Sequence, residues 1–168
     1  MGLPDNGYSY EVVNGELVMS PKNNPQHGRT CIKISTRMET FAEARQLGWV
    51  FDSNTGFWMV NRNLRAPDVS FVATARLPKE SGQGFFEGAP DLIVEVLSPT
   101  NRRREMDERL RDFFESGTRL AWIINVDQQF AEVCHSLSDR KIVGPGGLLD
   151  GEDVLPGFKL PLAEIFRR

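Results

Sequence analysis

The segment Asp91–Leu97, DLIVEVL, is a nearly continuous apolar run of strand length with one carboxylate inside it. Such a run belongs to a central strand covered on both faces, because a half-exposed strand would alternate apolar and polar residues. A helix is expected from about Arg102 to Ser116, with Met106, Leu110, Phe113 and Phe114 as its inward stripe and Gly117 as its stop. Leu120–Val126, LAWIINV, is a second buried strand. Strand, helix and strand make a βαβ unit, so the two strands are expected to be parallel.

The flanking segments add antiparallel strands. Tyr8–Val13 and Glu16–Ser20 surround Asn14-Gly15, a pair suited to the tight hairpin turn in which both central residues need positive φ. Asn24 can cap a helix whose first turn accepts Pro25; Cys31, Ile34, Met38, Phe41 and Ala42 recur at helical spacing, with Gly48 expected to end it. Trp49–Asp52, Phe57–Val60 and Leu64–Val72 read as an antiparallel meander. Glu132–Ser136 and Lys141–Val143 read as a terminal hairpin, and a short helix near Leu162–Phe166 closes the chain. Pro78–Pro90 and Gly144–Gly151 read as loops. The expected architecture is α+β, a mixed β-sheet flanked by two main helices. With 168 residues, no repeat and no linker-like stretch, residues 1–168 are expected to form one domain.

Composition narrows the function classes. Apolar residues at 40% and charged residues at 26% describe a globular chain, and no apolar run approaches the ~20 residues of a membrane span. No leader pattern is visible at the N-terminus, so a cytoplasmic location is expected. The net charge of −3 admits nucleic acid only through a local patch. Two cysteines without CxxC spacing exclude a zinc ribbon or a disulfide scaffold. Two histidines exclude a site built on several imidazoles, so any metal site must lean on carboxylates.

The chemistry-bearing candidates are charges at apolar positions. Glu95 lies inside the first βαβ strand, and an ionised carboxylate there is costly unless paired or bound to a metal. Asp91 shares its face but stands four residues away, roughly 13 Å along a strand, so it is read as ending the loop or capping the strand. Asp68 is the second carboxylate in an apolar strand. Asp68 and Glu95 on adjacent strands can hold a hard divalent cation, or each can be satisfied by an arginine or a backbone N–H. Arg109, three residues from Met106 and four from Phe113, lies in or beside the inward stripe of its helix, either reaching Glu95 or snorkelling to solvent. Arg102-Arg103-Arg104 reads as a solvated helix end beside Glu105, Asp107 and Glu108. His27, four residues before Cys31, falls on the apolar face of the first helix and is read as a structural histidine or a functional one.

Taken in order, these motifs resemble the Uma family (Uma-two) of restriction-endonuclease-like nucleases, within the PD-(D/E)xK superfamily. The resemblance covers nearly the whole chain. It starts at Gly7-Tyr8-Ser9-Tyr10-Glu11-Val12-Val13-Asn14-Gly15-Glu16-Leu17 and His27. It continues through Arg65-Ala66-Pro67-Asp68-Val69 and Pro90-Asp91-Leu92-Ile93-Val94-Glu95-Val96-Leu97-Ser98-Pro99. Arg102-Arg103-Arg104-Glu105, Glu108-Arg109-Leu110, Ala121-Trp122-Ile123-Ile124-Asn125-Val126-Asp127 and Leu155-Pro156-Gly157-Phe158 complete it.

The resemblance implies a restriction-endonuclease-like fold and metal-dependent hydrolysis of DNA phosphodiester bonds. It implies Mg²⁺ (or Mn²⁺) on Asp68, Glu95 and the Val96 carbonyl, and a two-fold homodimer whose two sites address two strands. The third motif position is Leu97. The family's lysine in a Glu-Lys-Leu triplet of the following helix is Arg109 here, a side chain that stays charged and can position or stabilise. The other reading is a catalytically degenerate nuclease fold acting as a nucleic-acid or protein binding module.

Overall fold

The computed structural model describes residues 8–20, 24–78, 84–98 and 103–167. The helix start expected at Arg102, the N-terminal residues read for a leader, and part of the Pro78–Pro90 loop lie outside the described residues. So do Gly7 and Pro99 of the family motifs.

In chain order the elements are β1 (Ser9–Val13), β2 (Glu16–Ser20), α1 (Pro25–Ala44), β3 (Gly48–Asp52), β4 (Phe57–Trp58), β5 (Leu64–Arg65) and β6 (Val69–Ala73). A 3₁₀ turn (Thr74–Arg76) leads on to β7 (Phe86–Glu87), β8 (Leu92–Val96), α2 (Arg103–Glu115), β9 (Leu120–Asn125) and β10 (Phe130–Cys134). The chain ends with β11 (Arg140–Val143), β12 (Leu148–Asp150), β13 (Lys159–Pro161) and α3 (Leu162–Phe166).

Among the described residues the strands form three sheets: six strands in the order β11-β10-β9-β8-β6-β3, five in the order β2-β1-β5-β4-β7, and the pair β12-β13. The βαβ unit stands as expected, with β8 parallel to β9 and every β8 residue from Leu92 to Val96 buried. Each face of β8 meets a different helix. Val94 and Val96 join Ile34, Met38, Trp122 and Phe158 on the α1 side. Ile93 joins Met106, Leu110 and Phe113 on the α2 side. Burial on both faces is why this strand carries no alternation.

Three local expectations change. The stretch 49–72 is no meander: β3 pairs with β6 in the large sheet, while β4 and β5 pair in the smaller one. Leu64–Val72 is two strands, interrupted where Pro67 removes a ladder donor. The first helix does not end at Gly48. It ends at Ala44, with Gln46 in the left-handed region (φ 54°), its N–H donating to the Glu43 carbonyl and the Leu47 N–H to that of Ala42. Gly48 instead opens β3, where a Cβ would stand 2.1 Å from the Val72 carbonyl oxygen. Neither expected loop is wholly irregular: part of Gly144–Gly151 is strand β12, paired with β13, and part of Pro78–Pro90 is strand β7, paired parallel with β4. Among the described residues no helix is long and apolar enough to cross a membrane.

Candidate active site

Four elements meet at the C-terminal end of β8. Strands β6 and β8 run antiparallel with Val69 opposite Val94, so the register places Asp68, just before β6, opposite Glu95. Residues opposed in this way project from the same face of a sheet. The Asp68 carboxylate accepts a 2.8 Å hydrogen bond from the Val96 N–H and is 3.1 Å from His27 Nε2. Within a strand a residue's N–H and C=O point to the same side. The Val96 carbonyl therefore also turns toward the side where β6 has ended.

His27 is brought there by the start of α1. Asn24 caps the helix by accepting the His27 N–H at 2.9 Å, and Pro25 occupies the first turn. One turn on, Cys31 places its sulfur 3.5 Å from His27 Nδ1.

Arg109 approaches from α2. Its Nε and Nη2 lie 3.0 and 2.9 Å from Glu95 Oε1, and Nη2 donates to the Ala66 carbonyl at 3.0 Å. Its Nη1 pairs with Glu11 of β1. Glu11 also accepts from the Ala66 N–H at 2.9 Å and lies 3.2 Å from Arg65 Nη1. Arg65 is held in turn by buried Asp112, at 2.6 Å from Nη2. Of the three charged candidates, Glu95 and Arg109 thus touch directly, and Asp68 stands across the strand pair from Glu95. Arg109 does not snorkel. Arg103 and Arg104 are exposed, as expected of a solvated helix end, with Arg104 3.0 Å from Glu108; Arg102 lies outside the described residues.

Glu11 did not stand out among the chemical candidates, although it lies within the family motif at the N-terminus. Its partner is 98 positions away, so no local pattern could report the pair. The available signal was an acid on a half-buried hairpin strand, Glu11 sharing a face with Val13.

The electrostatics are uneven. Burial pushes the Glu95 carboxyl up, to about 8, against the pull of Arg109, and the charges of Asp68 and Glu11 add to the rise. Glu11 is half-buried, and there the Arg109 guanidinium, the Ala66 N–H and Arg65 outweigh the desolvation and hold it below the usual carboxylate range. Burial opposes protonation of His27, yet the hydrogen bond and charge of Asp68 raise it, helped by a backbone hydrogen bond with Val96. Burial first, then Asp68 and Glu95, push the Cys31 thiol up. Burial works against the Arg109 charge, but Glu11 and Glu95 overcome it, so the guanidinium stays cationic.

One guanidinium thus serves a buried acid and a half-buried one, beside a third. Such a site can accept further positive charge, and it can stabilise negative charge next to Arg109.

Comparison with known proteins places the fold and the family. A solved chain from Anabaena variabilis, described as "a putative nuclease belonging to DUF820", superposes with a TM-score of 0.88 at 19% identity, covering 98% of this chain and 93% of that one. At that identity the likeness establishes the fold. No curated protein sequence matches. The Uma2 family, described as "Putative restriction endonuclease", matches residues 2–163. With nearly the whole sequence matched and the nuclease-like α+β fold in place, this chain belongs to the Uma2 family.

Proposed function

We propose that this chain is a metal-dependent DNA endonuclease that hydrolyses phosphodiester bonds, acting as one domain over residues 1–168, in the cytoplasm, as a two-fold homodimer. The observation that carries the reading is the opposition of Asp68 and Glu95 across β6 and β8, with more carboxylate there than the adjoining cations offset.

The donor set fits a hard cation: carboxylate oxygens and a strand-end carbonyl suit Mg²⁺ or Mn²⁺. Asp68, Glu95 and the Val96 carbonyl would hold it. When bound, such an ion supplies Lewis acidity that lowers the pKa of water and offsets charge on the scissile phosphate.

The protein's own groups do the rest. His27 and the Val96 N–H fix the Asp68 carboxylate. Glu11 and the Ala66 carbonyl hold the Arg109 plane against Glu95. From there the guanidinium stabilises negative charge developing on phosphorus-bound oxygens, and it exchanges no proton with the attacking water.

The second reading, a degenerate nuclease fold that binds nucleic acid or a protein without cutting, is favoured by that same arginine. A permanently charged group tied to two acids stands where the family lysine would, and Leu97 cannot replace it.

A Mg²⁺/Mn²⁺ nuclease assay on plasmid and single-stranded DNA separates the two. Cleavage is expected from the wild type and a loss of roughly 10³-fold from Glu95→Ala. DNA binding without cleavage supports the second reading. Light scattering checks the assembly: a dimer mass is expected, and a monomer mass across a wide concentration range contradicts it.

A further inference from the structure

We propose that His27, Cys31 and Asp68 form a second cation site, suited to a borderline-soft divalent metal such as Zn²⁺, which shares Asp68 with the Asp68–Glu95 pair. The proposal deepens the reading above, but only its inhibition arm rests on that reading.

One donor atom from each of the three residues lies within 4.8 Å of the others, and among the described residues no other trio of His, Cys, Asp or Glu meets that spacing. His27 and Cys31 stand one turn apart on α1, so the helix itself fixes the imidazole beside the thiol. Cys31 Sγ lies 3.5 Å from His27 Nδ1, and Asp68 Oδ2 lies 3.1 Å from the other ring nitrogen, Nε2. Metal–ligand bonds of ~2.0–2.3 Å in a tetrahedral zinc site put neighbouring donors roughly 3.3–3.8 Å apart, so the three donors must draw in from a spread of up to 4.8 Å and the imidazole must turn to offer a single nitrogen to the ion. A water would complete the four ligands.

Ligand chemistry separates this site from the one beside it. Mg²⁺ takes oxygen donors and leaves a thiol alone, whereas Zn²⁺ takes sulfur and imidazole nitrogen. Binding would convert the Cys31 thiol to a thiolate, with its proton released to bulk water and the sulfur lone pair donated to the metal. No oxidation state changes. Because Asp68 belongs to both donor sets, metal held by His27 and Cys31 withdraws a ligand from the pair formed with Glu95. The site would therefore make the enzyme sensitive to inhibition by soft metals at fixed Mg²⁺.

Titration of the metal-stripped full chain with Co²⁺ tests the site by spectroscopy, without any need for turnover. A thiolate-to-cobalt charge-transfer band in the near ultraviolet is expected, together with visible bands of a tetrahedral ion. Zn²⁺ should displace the cobalt and Mg²⁺ should not. The band should vanish in Cys31→Ser, with Zn²⁺ affinity down about 100-fold, and persist in Glu95→Gln.

The chain has two cysteines, so in Cys134→Ala any thiolate band reports Cys31 alone, whether or not the Cys31 variant folds. Absence of the band from the wild type, or its survival in Cys31→Ser, overturns the proposal. In parallel, Zn²⁺ should suppress Mg²⁺-dependent cleavage by the wild type at about tenfold lower concentration than by Cys31→Ser. A cobalt band without any cleavage upholds the metal site while the nuclease reading falls. Cleavage without a band does the reverse.

Discussion

The two ends of β8 each bury an acid, and they bury it differently. At the N-terminal end, Asp91 is 4% exposed. It accepts the Ala73 N–H at 2.8 Å, and lies 3.0 Å from Arg76 and 3.7 Å from Arg119. Two cations and a backbone donor serve one carboxylate. At the C-terminal end, Glu95 is 6% exposed and shares Arg109 with Glu11, opposite Asp68. Both carboxylates are buried, but two cations serve Asp91, whereas Arg109 is divided between Glu95 and Glu11, with Arg65 also beside Glu11 and His27 beside Asp68. Depth therefore says little about function. The ratio of acid to counter-charge says more, because an acid surplus in a poorly solvated place invites a cation. Asp91 fastens the β6–β8 connection; burial and the neighbouring acids push Glu95 toward its protonated form, which a bound cation would reverse.

Removing Arg109 should have the largest effect on this contrast. In metal-free Arg109→Ala, Glu11 and Glu95 lose their shared cation, and a loss of about 3–5 kcal/mol is expected in urea unfolding. Added Mg²⁺ should restore part of it and stabilise this variant more than the wild type. Arg109→Lys should keep the fold and maintain or raise any metal-dependent cleavage. Equal Mg²⁺ stabilisation of the wild type and Arg109→Ala would mean that the acid surplus does not govern metal demand.

Asp91→Ala should cost less, about 2–3 kcal/mol, because Arg76 and Arg119 are partly exposed and regain water, leaving chiefly the orphaned Ala73 N–H. Urea unfolding with and without Mg²⁺ should show the Mg²⁺ stabilisation unchanged. A variant that folded but lost its Mg²⁺ response would place a functional acid at the wrong end of the strand.

Glu11→Gln should have the smallest effect at neutral pH, about 1–3 kcal/mol, and a distinct pH signature. Arg109, Ala66 and Arg65 together outweigh burial and depress the Glu11 pKa in the folded protein. Its contribution is therefore complete above the unfolded carboxylate value near 4.3, and is lost as pH falls through the lower folded value. Unfolding curves at pH 7 and in the acid range should show the gap between wild type and Glu11→Gln closing as pH falls. A constant gap would contradict the assignment.

The same comparison explains what could be read before the structure. Strands β8 and β9 were legible because burial on both faces writes an uninterrupted apolar run, and α2 was legible because its inward stripe repeats at helical spacing. Glu95 stood out against that background for the same reason. The division of residues 49–72 between two sheets was not legible. Pairing partners are set by tertiary packing, and the break at Pro67 matters only once β5 and β6 are seen in different sheets. The β12-β13 pair was hidden by the glycine-rich stretch around β12 and by its intervening turns. At the site, Asp68, Glu95 and Arg109 were named from residue type and family motif. Glu11 carries no local signal because its role arises only from contact across the fold, and the sequence does not show the contact of His27 with Asp68.

The central claim is that the acid surplus at the C-terminal end of β8 is a divalent-cation site. Anomalous diffraction from crystals soaked in Mn²⁺ tests it directly. The account predicts a peak between Asp68 and Glu95, within bonding reach of the Val96 carbonyl, that disappears in Glu95→Ala. A well-diffracting soaked crystal with no peak there, or with its peak at Asp91, would contradict it.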